Sequence, residues 1–242
     1  MIAASKSRWF NAWFARHARA RIQRTFGRVL VAGLDQARAV TAGSPVLAVA
    51  NHTTWWDALV ALYSSELLLG CDGYAMMDAA NLRRVPFFRR VGAFGVDLDD
   101  PADGARAIRH AARLLDRGGR ALWIFPEGQE RSPFARLSLR PGAAQIARVA
   151  KGVVVVPVGL RYVFGASEQP DLWIAIGKPL VAERDVSKSV VLQQEGIERE
   201  LARIHTALEG PAEPLEFLTV YTRTPRLTGQ LAERLLARLL PA

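Results

Sequence analysis

Apolar positions along the chain fall into two alternating kinds of segment. Runs in which nearly every residue is apolar, at 46–50, 121–125, 153–156 and 172–176, read as strands covered on both faces, because a doubly buried strand loses its two-residue alternation. Shorter strand candidates lie at 74–77 and 93–97. Between them, apolar residues recur every three to four positions at 54–69, 101–117 and 142–151, the spacing of one helix face. In segment 101–117 that face carries Ala105, Ile108, Ala112 and Leu115, and Gly118-Gly119 closes the helix. Ile197, Leu201, Ile204 and Leu208 mark a further helix, and Leu227, Leu231, Leu235 and Leu239 another, set off by Pro211 and Pro214. Strands alternating with helices predict an α/β fold: a layered mixed sheet flanked by helices.

The first residues differ from the rest. Trp9, Phe10, Trp13 and Phe14, then Ile22, Phe26, Val29 and Leu30, keep helical spacing with a break near 16–21. This predicts one bent helix or two short ones, aromatics on one side and arginines on the other. Residues 1–32 thus read as a basic amphipathic segment, separable from an α/β domain over 33–242. Its removal is expected to leave that domain folded.

Charge sharpens the contrast. The net charge is +9. Residues 1–30 hold seven bases (Lys6, Arg8, Arg16, Arg19, Arg21, Arg24 and Arg28) and no acid, so the remainder carries only +2. Such a segment suits a helix lying in an anionic headgroup plane. A helix packed on the protein's own core and a nucleic-acid arm are the other readings of the same residues. Half the chain is apolar, no apolar run approaches the ~18 residues of a spanning helix, and no secretory signal is visible. Cys71 is the single cysteine, which excludes an internal disulfide and a cysteine-based zinc site. A peripheral position on the cytoplasmic face of the cell membrane is the expected location.

Candidate chemistry begins where the run 46–50 ends, with Asn51-His52-Thr53-Thr54-Trp55-Trp56-Asp57. Functional residues of α/β proteins lie at such carboxyl ends of strands. A histidine there can take a proton from a hydroxyl near neutral pH, and a carboxylate on its other ring nitrogen fixes the tautomer. Five helical residues span about 500°, so the two side chains converge only if His52 lies in the turn and Asp57 in the first turn of the helix. A capping box, with Thr54 as N-cap and Asp57 three residues on, accounts for Asp57 without catalysis. No Gly-x-Ser-x-Gly elbow, His-Glu-x-x-His, P-loop or Gly-x-Gly-x-x-Gly occurs. A histidine–aspartate pair without a protein nucleophile implies that the substrate supplies the attacking hydroxyl.

A second motif, Trp123-Ile124-Phe125-Pro126-Glu127-Gly128 with Arg131 close behind, follows another strand. With Asn51-His52-x-x-x-x-Asp57, with Gly92-Ala93-Phe94-Gly95-Val96-Asp97 and with Val155-Val156-Pro157-Val158, it gives four blocks in order over residues 45–160. Together they resemble the glycerolipid acyltransferase family, which includes the lysophosphatidic acid acyltransferases. The resemblance implies transfer of a fatty acyl group from a thioester, acyl-CoA or acyl carrier protein as co-substrate, to a lipid hydroxyl such as that of a lysophospholipid. It implies His52 as general base, Asp57 as its orienting partner, and Glu127 and Gly128 as seats for the acceptor, with Gly92, Arg131 and Arg140 as further substrate-binding candidates. It implies no metal and no resident cofactor; the basic, aromatic first residues imply an anionic membrane surface as partner, and no nucleic-acid partner is expected.

Leu98 stands where the family carries an arginine associated with the acceptor's phosphate, and Asp99 and Asp100 follow. The acceptor is therefore either of the 1-acylglycerol-3-phosphate type, held by Arg131, Arg140 and the paired arginines of 83–90, or a lipid without a phosphomonoester, such as a lyso-aminolipid or a glycosylated isoprenoid. The segment 83–90, arginine pairs around an apolar core, reads either as a headgroup-touching loop or as a solvated loop whose aromatics plug the core. From another class, a basic membrane- or nucleic-acid-binding module accounts for residues 1–30 but not for His52, Asp57 and Glu127 together.

Overall fold

A computed structural model describes residues 1–165, 167–210 and 215–223. The helix expected over the last leucines, and Pro211 and Pro214, lie outside the described residues. The chain forms one eight-stranded mixed sheet in the order β4-β3-β5-β2-β6-β7-β1-β8. Its strands are β1 (Arg28–Ala32), β2 (Val46–Ala50), β3 (Asp72–Asp78), β4 (Ala93–Val96), β5 (Arg120–Ile124), β6 (Val154–Val163), β7 (Asp171–Ile176) and β8 (Leu218–Thr222). β4, β3, β5, β2 and β6 pair in parallel, β7 runs against β6, β1 follows β7 in parallel, and β8 closes the far side antiparallel to β1.

Two cores sandwich this sheet, which explains why β2 shows no alternation. Val46, Ala48 and Ala50 face a cluster with Ile22, Phe26, Val60 and Ala61, contributed by helices α1 (Arg8–Thr25) and α3 (Trp56–Tyr63) and the residue after α1. Leu47 and Val49 face the opposite cluster with Ala107, Ala111, Ile146 and Ile197, from α5 (Pro101–Leu114), α6 (Gly142–Val149) and α7 (Val186–Glu209). α2 (Leu34–Gly43) joins the first side through Leu34 and Ala37. On α5 the buried stripe is Asp103, Ala107 and Ala111 leading to Leu115, so Ala105, expected on the core face, is exposed. The apolar pattern misplaced the stripe because a carboxylate occupies one of its positions. Asp103 is tolerated there because it accepts from the Asp97 N–H at 2.8 Å and from Arg106 Nη2 at 2.9 Å.

The N-terminal segment differs from its reading as a helical unit over 1–32. α1 is a single helix, but the chain leaves it at Phe26 and enters β1, where Val29, Leu30, Val31 and Ala32 are all buried between β7 and β8. Three- to four-residue spacing of Ile22, Phe26, Val29 and Leu30 fits a helix, yet Val29 and Leu30 are the start of a doubly covered strand. Removing residues 1–30 therefore takes strand pairing out of the sheet. The aromatics also divide. Phe14, Ala15, Ala18 and Ile22 are buried, Phe14 against Phe87 and Phe88, whereas Trp9 and Trp13 stay 76% and 49% exposed on the side carrying Arg16 and Arg24.

Residues 2–7 run as a strap along the outer strand of the parallel block. Ile2 exchanges both backbone hydrogen bonds with Gly95 of β4, at 2.9 and 2.8 Å. Ser5 and Ser7 donate to the carbonyls of Arg89 and Arg90, and Lys6 Nζ reaches Asp72, Glu66 and the Gly73 carbonyl. Segment 83–90 ends α4 (Ala79–Arg84) and forms a short 3-10 helix, Pro86–Val91. Phe88 packs inward while Phe87 is 40% exposed, so this segment both plugs and presents.

Candidate functional site

The chain leaving β2 turns into α3 on one face of the sheet, and the chain leaving the adjacent β5 runs to α6 on the other. Neighbouring strands whose connections part in this way open a crevice at their carboxyl ends, the usual ligand position in α/β sheets. Both motifs end there. β6, on the other side of β2, continues past the end of β2 and walls the crevice. Asn51 fixes that wall: its Oδ1 accepts from the Leu160 N–H at 2.8 Å and its Nδ2 donates to the Leu160 carbonyl at 3.1 Å.

His52 lies in the turn and Asp57 is the second residue of α3, and the two side chains meet at 2.7 Å between Nδ1 and Oδ2. The same oxygen accepts from the Thr53 and Thr54 N–H groups at 2.8 and 3.1 Å. Asp57 is fully buried, and its second oxygen accepts the Tyr162 hydroxyl at 2.6 Å. A carboxylate engaged by these donors acts as acceptor toward the imidazole, so Nδ1 donates and Nε2 keeps its lone pair. The His52 side chain is 21% exposed and its ring stacks on Phe125 at 4.7 Å. Capping and orientation prove to be one arrangement, because Asp57 satisfies free N–H groups ahead of α3 and holds the imidazole. Thr54 is not the side-chain cap; the helix starts at Trp56 without one.

The loop after β5 grips the backbone of the same histidine. Glu127 Oε2 accepts the His52 N–H at 2.7 Å, and the Arg131 N–H donates to the His52 carbonyl at 2.8 Å. Glu127 is 4% exposed. Burial pushes its carboxyl above the usual range, opposed by the His52 N–H and by the nearby His52 and Arg131. Gly128 has φ 75°, and a Cβ there would lie 2.9 Å from Arg140 Nε, so only glycine lets Arg140 pass so close. The Arg140 N–H in turn donates to the Pro126 carbonyl at 2.8 Å.

Glu127, Gly128, Arg131 and Arg140 thus cluster with His52 and Asp57. Gly92 does not. It precedes β4 near the amino ends of the strands, where φ is 102° and a Cβ would lie 2.6 Å from the Gly73 carbonyl. Its glycine permits the close approach of β3. Two neighbours of the site escaped the sequence reading. Tyr162 and Arg161 belong to β6, which was expected to stop near residue 156 but extends to Val163. The polar residues interrupting its apolar run are those that reach the site. Arg161 is half-buried, close enough to Glu127 to feel its charge, and burial pulls its guanidinium below the usual arginine range.

Beside Arg140 opens a groove of about 750 Å³ between α5 and α6, with walls that include Met76, Val96, Leu98, Ile108, Ile146 and Val149. Its lining does not include His52, Asp57 or Glu127; Arg140 connects the groove to Gly128. Leu98 packs on the core cluster of this face.

Residues 28–161, the stretch that delivers the histidine–aspartate pair and the buried glutamate from adjacent strand ends, match the family model described as Acyltransferase. The chain belongs to that family. Among named proteins, it is 32% identical over 143 residues to lysophospholipid acyltransferase LPCAT4 of Homo sapiens and equally to that of Mus musculus. The match covers 57% of this chain and 24% of each relative, so the chain spans about a quarter of their length.

Proposed function

We propose that this chain transfers a fatty acyl group from a thioester, acyl-CoA or acyl carrier protein, to the hydroxyl of a membrane lipid, with His52 as general base. The observation that carries this reading is the 2.7 Å contact between His52 Nδ1 and Asp57 Oδ2, which leaves Nε2 able to accept a proton. As the acceptor's oxygen attacks the thioester carbonyl, its proton passes to Nε2. The tetrahedral intermediate then expels the thiolate, which takes that proton back from the imidazolium. The products are an oxygen ester and a free thiol. Asp57 stabilises the transient imidazolium without changing its own protonation. The groove between α5 and α6 offers apolar walls suited to an alkyl chain, with Arg140 at the end nearest Gly128.

For the acceptor, Arg131 and Arg161 lie close enough to Glu127 to feel its charge, and Arg140 passes beside Gly128 at the edge of the groove that Leu98 lines. Clustered guanidinium groups favour an acceptor with a phosphate. A lysophospholipid is our reading, in line with the name of the LPCAT4 relatives. The deciding experiment incubates the purified protein with acyl-CoA or acyl carrier protein thioester and, side by side, lysophosphatidate, lysophosphodiester, lyso-aminolipid and glycolipid acceptors. Ester formation confined to phosphate-bearing acceptors and lost with Arg131→Ala supports the reading. Equal or better use of uncharged acceptors moves the specificity to the non-phosphate class.

No helix among the described residues is long and apolar enough to cross a membrane. We propose a peripheral position on the cytoplasmic face, with the exposed side of α1 on the lipid. Trp9 and Trp13 there stand among Arg8, Arg16 and Arg24, and exposed Phe87 and Trp55 extend the aromatic surface toward the turn that carries His52. Indole rings with interspersed cations suit an anionic headgroup layer.

A further inference from the structure

We propose that Tyr162 is a positioning residue for the His52–Asp57 pair: its hydroxyl fixes which oxygen of Asp57 faces the imidazole and tempers the charge that this carboxylate presents. The inference rests on the reading of His52 as the base.

The two oxygens of Asp57 are unequally served. Oδ2 receives His52 Nδ1 and the N–H groups of Thr53 and Thr54, whereas the hydrogen bond to Oδ1 comes from Tyr162, at 2.6 Å. In a fully buried residue an oxygen left without a donor is costly, so the tyrosine sets the rotation of the carboxylate as well as satisfying it. The approach of Tyr162 is built from several sides. Its ring packs 5.7 Å from Phe26, which itself lies edge-on to Trp56, beside Asp57 on α3. Its strand is held by the Asn51 clamp two residues earlier and by pairing with Leu172 of β7. Burial, and Asp57 beside it, push the phenol well above the usual tyrosine range, so it stays a donor throughout the neutral range.

A donor on Oδ1 withdraws charge from the carboxylate and weakens its hold on an imidazolium. Without it, His52 keeps a captured proton more tightly and its ring is less firmly aimed. The other ionisable groups facing the pair are Glu127 and Arg131 from the loop after β5, Arg161 from β6, and Arg21 of α1, which lies over the Trp55 and Trp56 rings. None of them changes when only the phenolic oxygen is removed.

The test compares the wild-type chain with Tyr162→Phe and with Tyr162 replaced by 3-fluorotyrosine, a stronger donor of nearly the same shape. Phenylalanine should move the acid limb of the kcat/KM profile to higher pH by about half a unit to one unit. It should lower kcat about tenfold with KM for thioester and acceptor little changed. Fluorotyrosine should move the limb the other way. The His52 imidazole signals, followed by NMR against pH without substrate, should shift in the same two directions. A limb and an imidazole titration that coincide in all three proteins overturn the proposal. If the phenylalanine variant does not fold, the fluorotyrosine protein decides alone. Imidazole shifts as expected, in a protein with no turnover on any acceptor, would uphold the positioning role and defeat the acyl-transfer reading.

Discussion

Asn51 and Leu160 form a side-chain copy of a strand ladder: the amide exchanges both hydrogen bonds with one residue of β6 just beyond the last backbone pair of β2. The wall carrying Arg161 and Tyr162 is thereby tied to the turn carrying His52. Asn51→Asp substitutes an acceptor for the amide donor, so the Leu160 carbonyl faces a second acceptor in a buried position. A cost of about 1–3 kcal/mol follows, or a Tm lower by several degrees for a chain of this size. Calorimetry and an activity assay on the same preparation check it; an unchanged Tm would show that the clamp is dispensable.

His52→Ala should lower kcat by about 10²–10⁴-fold with the fold intact, since the ring lies at the crevice and not in either core. Asp57→Asn should lower it less than His52→Ala, because the imidazole survives while its charged partner is lost. Steady-state kinetics, with circular dichroism as the control on folding, read both. Near-wild-type turnover of folded His52→Ala would remove the base assignment.

Glu127→Gln keeps a side-chain oxygen for the His52 N–H, whereas Glu127→Ala leaves that N–H without its partner. The alanine variant should lose about 1–3 kcal/mol of stability, and the glutamine variant clearly less. If glutamine restores stability but not acceptor binding, the charge of Glu127 acts on the substrate. Urea unfolding and acceptor KM, measured for both variants, separate these roles.

Asp103 gives the molecule an acid-sensitive point. The Asp97 N–H, followed by the α-amino group of Met1 and Arg106, holds its carboxyl at about 2, below the ~3.9 of an unfolded aspartate. The folded state therefore binds this proton later than the unfolded state does. The stabilisation is complete above about pH 4 and is lost as pH falls toward 2. Asp103→Asn should flatten the dependence of Tm on pH across that window, which thermal scans from pH 5 to 2.5 would reveal.

Because β1 is part of the sheet, the membrane reading is better tested on the surface of α1 than by truncation. Trp9→Ser with Trp13→Ser should release most of the protein from anionic vesicles in a sedimentation assay, with the circular dichroism spectrum unchanged. High salt should release the wild type in part. Undiminished binding by the double variant would shift the anchor to the arginines of 83–90.

The sequence exposed the central parallel strands and both site motifs because buried runs such as 46–50 and 121–125 have few other readings. The meeting of His52 with Asp57 was legible from one turn of geometry. Tyr162 was not: it lies 105 residues from Asp57, and the contact depends on how far β6 runs past β2. Val29 and Leu30 misled because four apolar residues cannot separate the end of a helix from the start of a buried strand. Gly92 lies apart from the crevice, and its place was not legible for another reason. A glycine demanded by strand packing looks the same in sequence as one demanded by a ligand.

The strap along β4 bears on how copies of this protein meet one another. β4 is the outermost strand of the parallel block, and an outermost strand offers its free backbone groups as a template to any extended chain. Ile2 occupies both backbone groups of Gly95, and the residues that follow are tied down at Arg89, Arg90 and Lys6. Loosening the strap, for example by Lys6→Ala, would uncover that template without touching the crevice. The expected outcome is a protein that works normally when dilute and self-associates, strand against strand, as its concentration rises.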